Sequence, residues 1–274
     1  MSELEEYLDF AKSLAEEAGK IMLKYFRAGL LETEIKDDLS PVTLADTEIN
    51  SMVISRVKEK YPGHGVLGEE ESFNLGNKQL WIVDPIDGTY NFASGLAGSV
   101  FSLAFTEDGV VKVGVIYDPL LKALFWAAAG QGAYENNRKL DVSSGVPKGK
   151  LHISSWLAGD INGTIFKDAD MEGQSVVAYN RHGKIFVENW PVAHAIALVA
   201  AGRLDGSVTS CKNPWDLAAG GLITQEAGAK VTDVYSNPIS IWSKDIKGMV
   251  AAPPATHDIL MEVISPVIES ATPL

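Results

Sequence analysis

The stretch Leu80-Trp81-Ile82-Val83-Asp84-Pro85-Ile86-Asp87-Gly88-Thr89 constrains the fold more than any other part of the chain, because a short buried apolar strand ends abruptly in two acids. Two carboxylates held a few ångströms apart raise each other's pKa and repel, so such a strand end needs something positive between them. Pro85 stiffens the turn. Gly88-Thr89 then lets backbone N–H groups at the start of a helix face the same spot, which is what a phosphate needs. Asp-Pro and Asp-Gly are also common turn pairs, and an acid ahead of a helix is often only a cap. Other acidic positions decide between these readings.

The flanking pattern supplies the frame. Leu4, Leu8, Ala11, Leu14, Ala15, Ala18, Ile21, Met22 and Tyr25 recur at helical spacing, which predicts a long amphipathic helix over the first 27 residues. A second helix is expected from Thr43, a cap with Asp46 three residues on, to Tyr61-Pro62-Gly63. The period then changes to strands at 80–83, 100–106, 110–117, 123–129 and 132–134, with turn pairs between them, and these read as an antiparallel meander. Residues 143–150, Ser-Ser-Gly-Val-Pro-Lys-Gly-Lys, are the candidate boundary between an N-terminal α+β half, 1–143, and a C-terminal α/β half, 144–274. Beyond it, strands at 151–154, 175–178, 206–208, 230–232 and 249–251 are expected to alternate with helices at 192–201, 214–227 and 257–264.

The 274 residues carry a net charge of −13, and no basic stripe overrides it, which argues against nucleic acid as a partner. The same field would repel a phosphorylated small molecule unless bound cations reverse it locally. No apolar run is long enough to cross a membrane and the N-terminal segment is acidic, so the expectation is a cytoplasmic protein with no membrane partner. Cys211 is the only cysteine and is expected to be a packing residue. His64, His152, His182, His194 and His257 show no metal-ligand spacing and are expected to be structural.

Three more acidic positions join the strand end: Gly68-Glu69-Glu70 just before it, Asp46 opening a helix, and Trp215-Asp216 opening another. With Ala201-Gly202-Arg203-Leu204-Asp205-Gly206 between, this ensemble resembles the inositol monophosphatase family of lithium-sensitive phosphatases, from Asp46 to Gly228. The resemblance implies a layered αβαβα sandwich of the sugar phosphatase type and a homodimer. It implies that Glu69, Asp84, Asp87, Asp216 and the Ile86 carbonyl bind Mg2+, two or three ions, a cation suited to all-oxygen ligands. It further implies that Asp46, Thr89 and Glu69 position a metal-activated water. Asp87, Gly88, Thr89 and Asp216 would hold the substrate, with Lys36 and Glu70 at the edge of the cluster. The implied reaction is hydrolysis of a small phosphorylated metabolite by in-line displacement, without a covalent phosphoenzyme.

Two positions depart from the inositol-specific pattern. Thr209 stands where a glutamate seven residues before Asp216 is expected to accept sugar hydroxyls, and Trp190-Pro191-Val192 stands where a Gly-Thr-Ala segment contacts substrate. Fructose-1,6-bisphosphatase, histidinol phosphatase and 3′-nucleotide or NADP phosphatase activities are therefore alternatives. Phosphatases of the haloacid dehalogenase type space their two aspartates by two, whereas Asp84 and Asp87 are spaced by three around Pro85. A metal-binding relative without turnover is the non-enzyme alternative.

Overall fold

The computed structural model describes residues 2–26, 33–36, 41–145, 149–157, 171–239 and 246–270. Helix α1 (Glu3–Phe26) buries the face predicted from its spacing, Leu8, Ala11, Leu14, Ala15, Ala18 and Met22 among it. Strands β1 (Thr33–Ile35) and β2 (Pro41–Thr43) form an antiparallel pair that leads into α2 (Leu44–Lys60). Thr43 caps α2, and Asp46 reaches back to its backbone N–H, a capping box that fixes where the helix starts.

Strands β3 (Gly65–Gly68) and β4 (Gln79–Asp87) come next, followed by the short α3 (Thr89–Ala93). Strands β5 (Val100–Glu107), β6 (Val110–Asp118), β7 (Ala123–Ala128), β8 (Ala133–Glu135) and β9 (Arg138–Leu140) complete a seven-stranded sheet in sequence order. The meander is antiparallel from β4 to β9, but β3 lies parallel to β4 and was not foreseen as a strand.

Alternation explains why this sheet is covered on both sides. Trp81, Val83, Phe101, Leu103, Phe105, Val113 and Val115 pack against α1 and α2. Their neighbours in sequence, Ile82, Val100, Ala104 and Ile116, pack the other way. Truncating a buried ring such as Phe101 to alanine removes about 3–5 kcal/mol at a site like this.

The second half begins with β10 (Leu151–Trp156), α4 (Met171–His182), β11 (Ile185–Glu188), α5 (Val192–Ala200), β12 (Gly206–Thr209) and α6 (Pro214–Glu226). It ends with β13 (Lys230–Thr232), β14 (Met249–Ala252) and α7 (Pro254–Ser270). Its strands form a mixed sheet in the order β11-β10-β12-β14-β13. Helices α5 and α6 lie between the two sheets, and α4 and α7 cover the outer face of the second, giving the αβαβα sandwich. A middle-layer helix has no solvent face, which is why Ala193–Ala200 are all buried and alanine-rich. At Gly114 of β6 a Cβ would stand 2.6 Å from the Ala219 carbonyl oxygen, so glycine there lets α6 lie close on the first sheet.

Two expectations need correction. Residues 175–178 are not a strand but part of α4; the strand follows at Ile185–Glu188. Val176 and Val177 are exposed on that helix, so their β-branched pair reported surface rather than sheet. Strand β4 also does not stop at Val83. It continues to Asp87, with the four residues from Asp84 to Asp87 set against three on β5, Val100 to Ser102, an irregularity that accommodates Pro85 without a ladder N–H. Of the expected boundary segment, residues 146–148 lie outside the described residues, as do Met1 and Arg27 of the first helix.

Candidate active site

The irregularity in β4 turns Asp84 and Asp87 to one side of the strand end, where both are buried, 2 % and 6 % exposed. Asp84 Oδ1 accepts the Ile86 N–H at 2.9 Å, closing a tight local turn. Asp87 Oδ2 accepts the His194 N–H at 3.0 Å. It thereby caps α5, whose own N-cap, Pro191, offers no side-chain acceptor.

Asp216 arrives from the second half in the first turn of α6, behind Asn213-Pro214. Cys211 Sγ donates to its Oδ2 at 2.7 Å and Asn213 Nδ2 at 3.3 Å. The Ser102 hydroxyl, on β5, holds the Trp215 carbonyl at 3.1 Å and ties that turn to the first sheet. Carboxylate oxygens of Asp84, Asp87 and Asp216 consequently all lie within 4.8 Å of one another.

Glu69 follows β3, whose parallel register sets Gly68 beside Val83 and so brings Glu69 level with Asp84. Its carboxylate meets Lys36 Nζ at 2.9 Å, and Glu70 meets the same ammonium at 2.6 Å. Burial opposes the charge on Lys36, but attraction to Glu69 and hydrogen bonds to both glutamates outweigh it and hold its pKa above the ordinary lysine value. Asp46 Oδ2 takes the Thr43 N–H at 2.8 Å and hydroxyl at 2.5 Å. Its other oxygen faces the Thr89 hydroxyl at 3.4 Å, and that hydroxyl also reaches the Ile86 carbonyl at 3.0 Å.

Without a cation this cluster is electrostatically expensive. Burial, and then repulsion from Glu69, Asp216 and Asp87, raises the Asp84 carboxyl well above the usual range. Burial and Asp216 do the same to Asp87, against the lowering effect of the His194 N–H. Burial, with Glu69, pushes Asp216 up to about 6 despite the Cys211 thiol. Asp46 is pushed up to about 7 by burial, the Thr43 bonds opposing. The three converging acids, Asp84, Asp87 and Asp216, offer only oxygen donors and fit a hard divalent cation that would restore their charged forms.

Gly88 follows in a left-handed conformation, φ 86°, immediately before α3. A Cβ there would stand 2.5 Å from Pro191 Cγ, so glycine is required by both conformation and space. Trp190 lies against Gly98, its ring edge-on to His194 at 5.3 Å and its indole N–H on Glu188 at 2.8 Å. Thr209 is otherwise placed. It is buried at the end of β12, and its hydroxyl accepts the Cys211 N–H at 3.0 Å, shaping the turn that presents Cys211.

Sequence reasoning missed the supports. Cys211 is buried as expected, yet its thiol is bound to Asp216 rather than lying among apolar neighbours. The His194 backbone joins the site although no histidine belongs to the acid cluster. Neither has a local signal, since both depend on how α5 and α6 meet the end of β4.

Comparison with known proteins identifies relatives of the whole chain. The profile described as "Inositol monophosphatase family" matches residues 3–269. The chain is 33 % identical over 268 residues to a fructose-1,6-bisphosphatase/inositol-1-monophosphatase of Thermotoga maritima, covering 96 % of this chain and 97 % of that one. It is 32 % identical over 250 residues to a histidinol-phosphatase of Chlorobaculum parvum, covering 89 % and 91 %. The solved Thermotoga maritima IMPase superposes with a TM-score of 0.83 at 30 % identity, covering 96 % of this chain and 98 % of that one. A buried carboxylate cluster at the end of a strand, in a five-layer sandwich matched over nearly its full length, places this phosphatase in the inositol monophosphatase family.

Proposed function

We propose that the enzyme is a magnesium-dependent phosphomonoesterase that releases inorganic phosphate from a small polyol or sugar phosphate. The observation that carries this reading is the convergence of Asp84, Asp87 and Asp216 within 4.8 Å, beside the Asp46 and Thr89 pair. Glu69, Asp84, Asp87, Asp216 and the Ile86 carbonyl would hold two or three Mg2+ ions. Magnesium supplies Lewis-acid chemistry, activating water and offsetting charge on the leaving oxygen.

The chain's own residues bind and move protons. Backbone N–H groups of Gly88 and Thr89 face the phosphate at the α3 end, with Asp87 and Asp216 bordering it. The Thr89 hydroxyl orients the attacking water and passes its proton towards Asp46, whose Oδ1 stands 3.4 Å away and whose burial raises its proton affinity. Glu69, restrained by Lys36, shares in placing that water, and Glu70 restrains Lys36 in turn. The products are an alcohol and inorganic phosphate, with no bond formed to the protein.

Trp190-Pro191-Val192 in place of a small Gly-Thr-Ala segment, and a buried Thr209 in place of a carboxylate, favour a leaving group other than myo-inositol. Family membership supports lithium sensitivity and a homodimer, and a description as halves 1–143 and 144–274 meeting at the metal site. A cytoplasmic location and the absence of nucleic-acid and membrane partners are supported by the net charge of −13 and by the lack, among the described residues, of a helix long and apolar enough to cross a membrane. The test is phosphate release across inositol, fructose, histidinol and nucleotide phosphates, with magnesium and with chelator. Magnesium-dependent release from at least one ester is expected; binding of magnesium with no release from any would favour an inactive relative.

A further inference from the structure

We infer that His194 is a positioning residue for the Gly88-Thr89 turn, an assignment that rests on the phosphomonoesterase reading. The residue is 1 % exposed and makes two separable contacts. Its backbone N–H holds Asp87, a bond that any non-proline side chain at this position leaves in place. Its ring Nδ1 stands 2.7 Å from the Gly98 carbonyl oxygen. A carbonyl can only accept, so Nδ1 carries the proton.

That second contact leads to the phosphate turn. Gly98 precedes Ser99, whose hydroxyl donates to the Gly88 carbonyl at 3.0 Å. Gly98 itself adopts φ +113°, a conformation that needs holding. The first turn of α5 therefore grips Gly88 from two directions: Pro191 packs on its Cα side, and His194 acts through Gly98 and Ser99 on its carbonyl. The edge-on Trp190 ring fixes the imidazole plane. Nε2 makes no hydrogen bond and faces Asp118 Oδ2 at 3.9 Å, while Asp118 Oδ1 is taken by the Leu120 and Leu121 N–H groups. The ring thus works through Nδ1 alone, as a brace that orients the Gly88 and Thr89 N–H groups towards the phosphate.

The test compares His194→Ala, His194→Asn and His194→Gln in the full chain. An asparagine amide reaches the place of Nδ1, whereas a glutamine amide reaches that of Nε2. His194→Ala is expected to raise KM and the inhibition constant for inorganic phosphate about tenfold, the scale of one lost buried hydrogen bond. The magnesium affinity of metal-stripped protein, read by calorimetry, should stay within about threefold, because Asp87 keeps its backbone donor. His194→Asn should recover phosphate affinity and His194→Gln should not, a contrast that holds even if the alanine variant fails to fold. Unchanged phosphate affinity in His194→Ala, equal behaviour of the asparagine and glutamine variants, or a parallel loss of magnesium binding would overturn the assignment. Wild-type protein that hydrolyses no phosphate ester would instead defeat the functional reading on which it rests.

Discussion

Asp84 is raised by burial and by three neighbouring acids at once, so its replacement separates electrostatics from folding. Asp84→Asn is expected to lower turnover by about 10²-fold or more, the scale of losing one preorganised charge at a reacting centre. Metal-free Asp84→Asn should nevertheless melt higher than wild type, by roughly 2–4 °C for each kcal/mol of repulsion removed. Melting with and without chelator checks both, and near-normal activity would remove Asp84 from the site. Asp46 carries the acid limb of the rate profile. Burial raises its carboxyl, to about 7 in the metal-free protein, and the proton-accepting form is lost as pH falls, so kcat should decline on the acid side. Bound magnesium moves that limb to lower pH, and Asp46→Asn should abolish it together with most of the rate.

The capping box of α2 joins helix stability to catalysis, because the same carboxylate serves Thr43 and faces Thr89. Thr43→Ala is expected to cost about 1 kcal/mol of stability by urea unfolding. It also removes a bond that holds the Asp46 pKa down, so the acid limb should move to higher pH in the same variant. Much at this scale was legible beforehand: α1 from its apolar spacing, α2 from Thr43 and Asp46, α5 and α6 from short apolar segments behind prolines. What was hidden depends on tertiary context. The valine pair in α4 imitated a strand because an exposed helix face carries no periodic constraint of its own, and β3 escaped notice because its Gly65-Val66-Leu67-Gly68 is stabilised by parallel pairing with β4 rather than by local pattern. The acids themselves were readable one by one. Their supports, Cys211 and the His194 backbone, were not, since a hydrogen bond across 107 residues leaves no mark in either segment.

Two sheets and a shared layer of helices bring the acids of β4 and α6 together, and the whole molecule bears the electrostatic cost. Asp46 and Asp216 titrate at about 7 and about 6 when folded, against about 4 in an unfolded chain. The folded protein therefore binds more protons than the unfolded one between those values. The metal-free enzyme should lose stability as pH rises from about 4 to about 7, opposite to the behaviour of ordinary salt-bridged carboxylates. Magnesium should cancel that slope by binding only the folded form. The central claim, that carboxylates from separated segments converge to hold divalent cations for hydrolysis, is tested most directly by calorimetric titration of Mg2+ into chelator-stripped protein, for wild type, Asp84→Asn and Asp216→Asn. Saturable binding in the wild type, lost or strongly weakened in both variants along with phosphate release, is the predicted result. Equal binding in all three proteins, or full phosphate release in excess chelator, would contradict it.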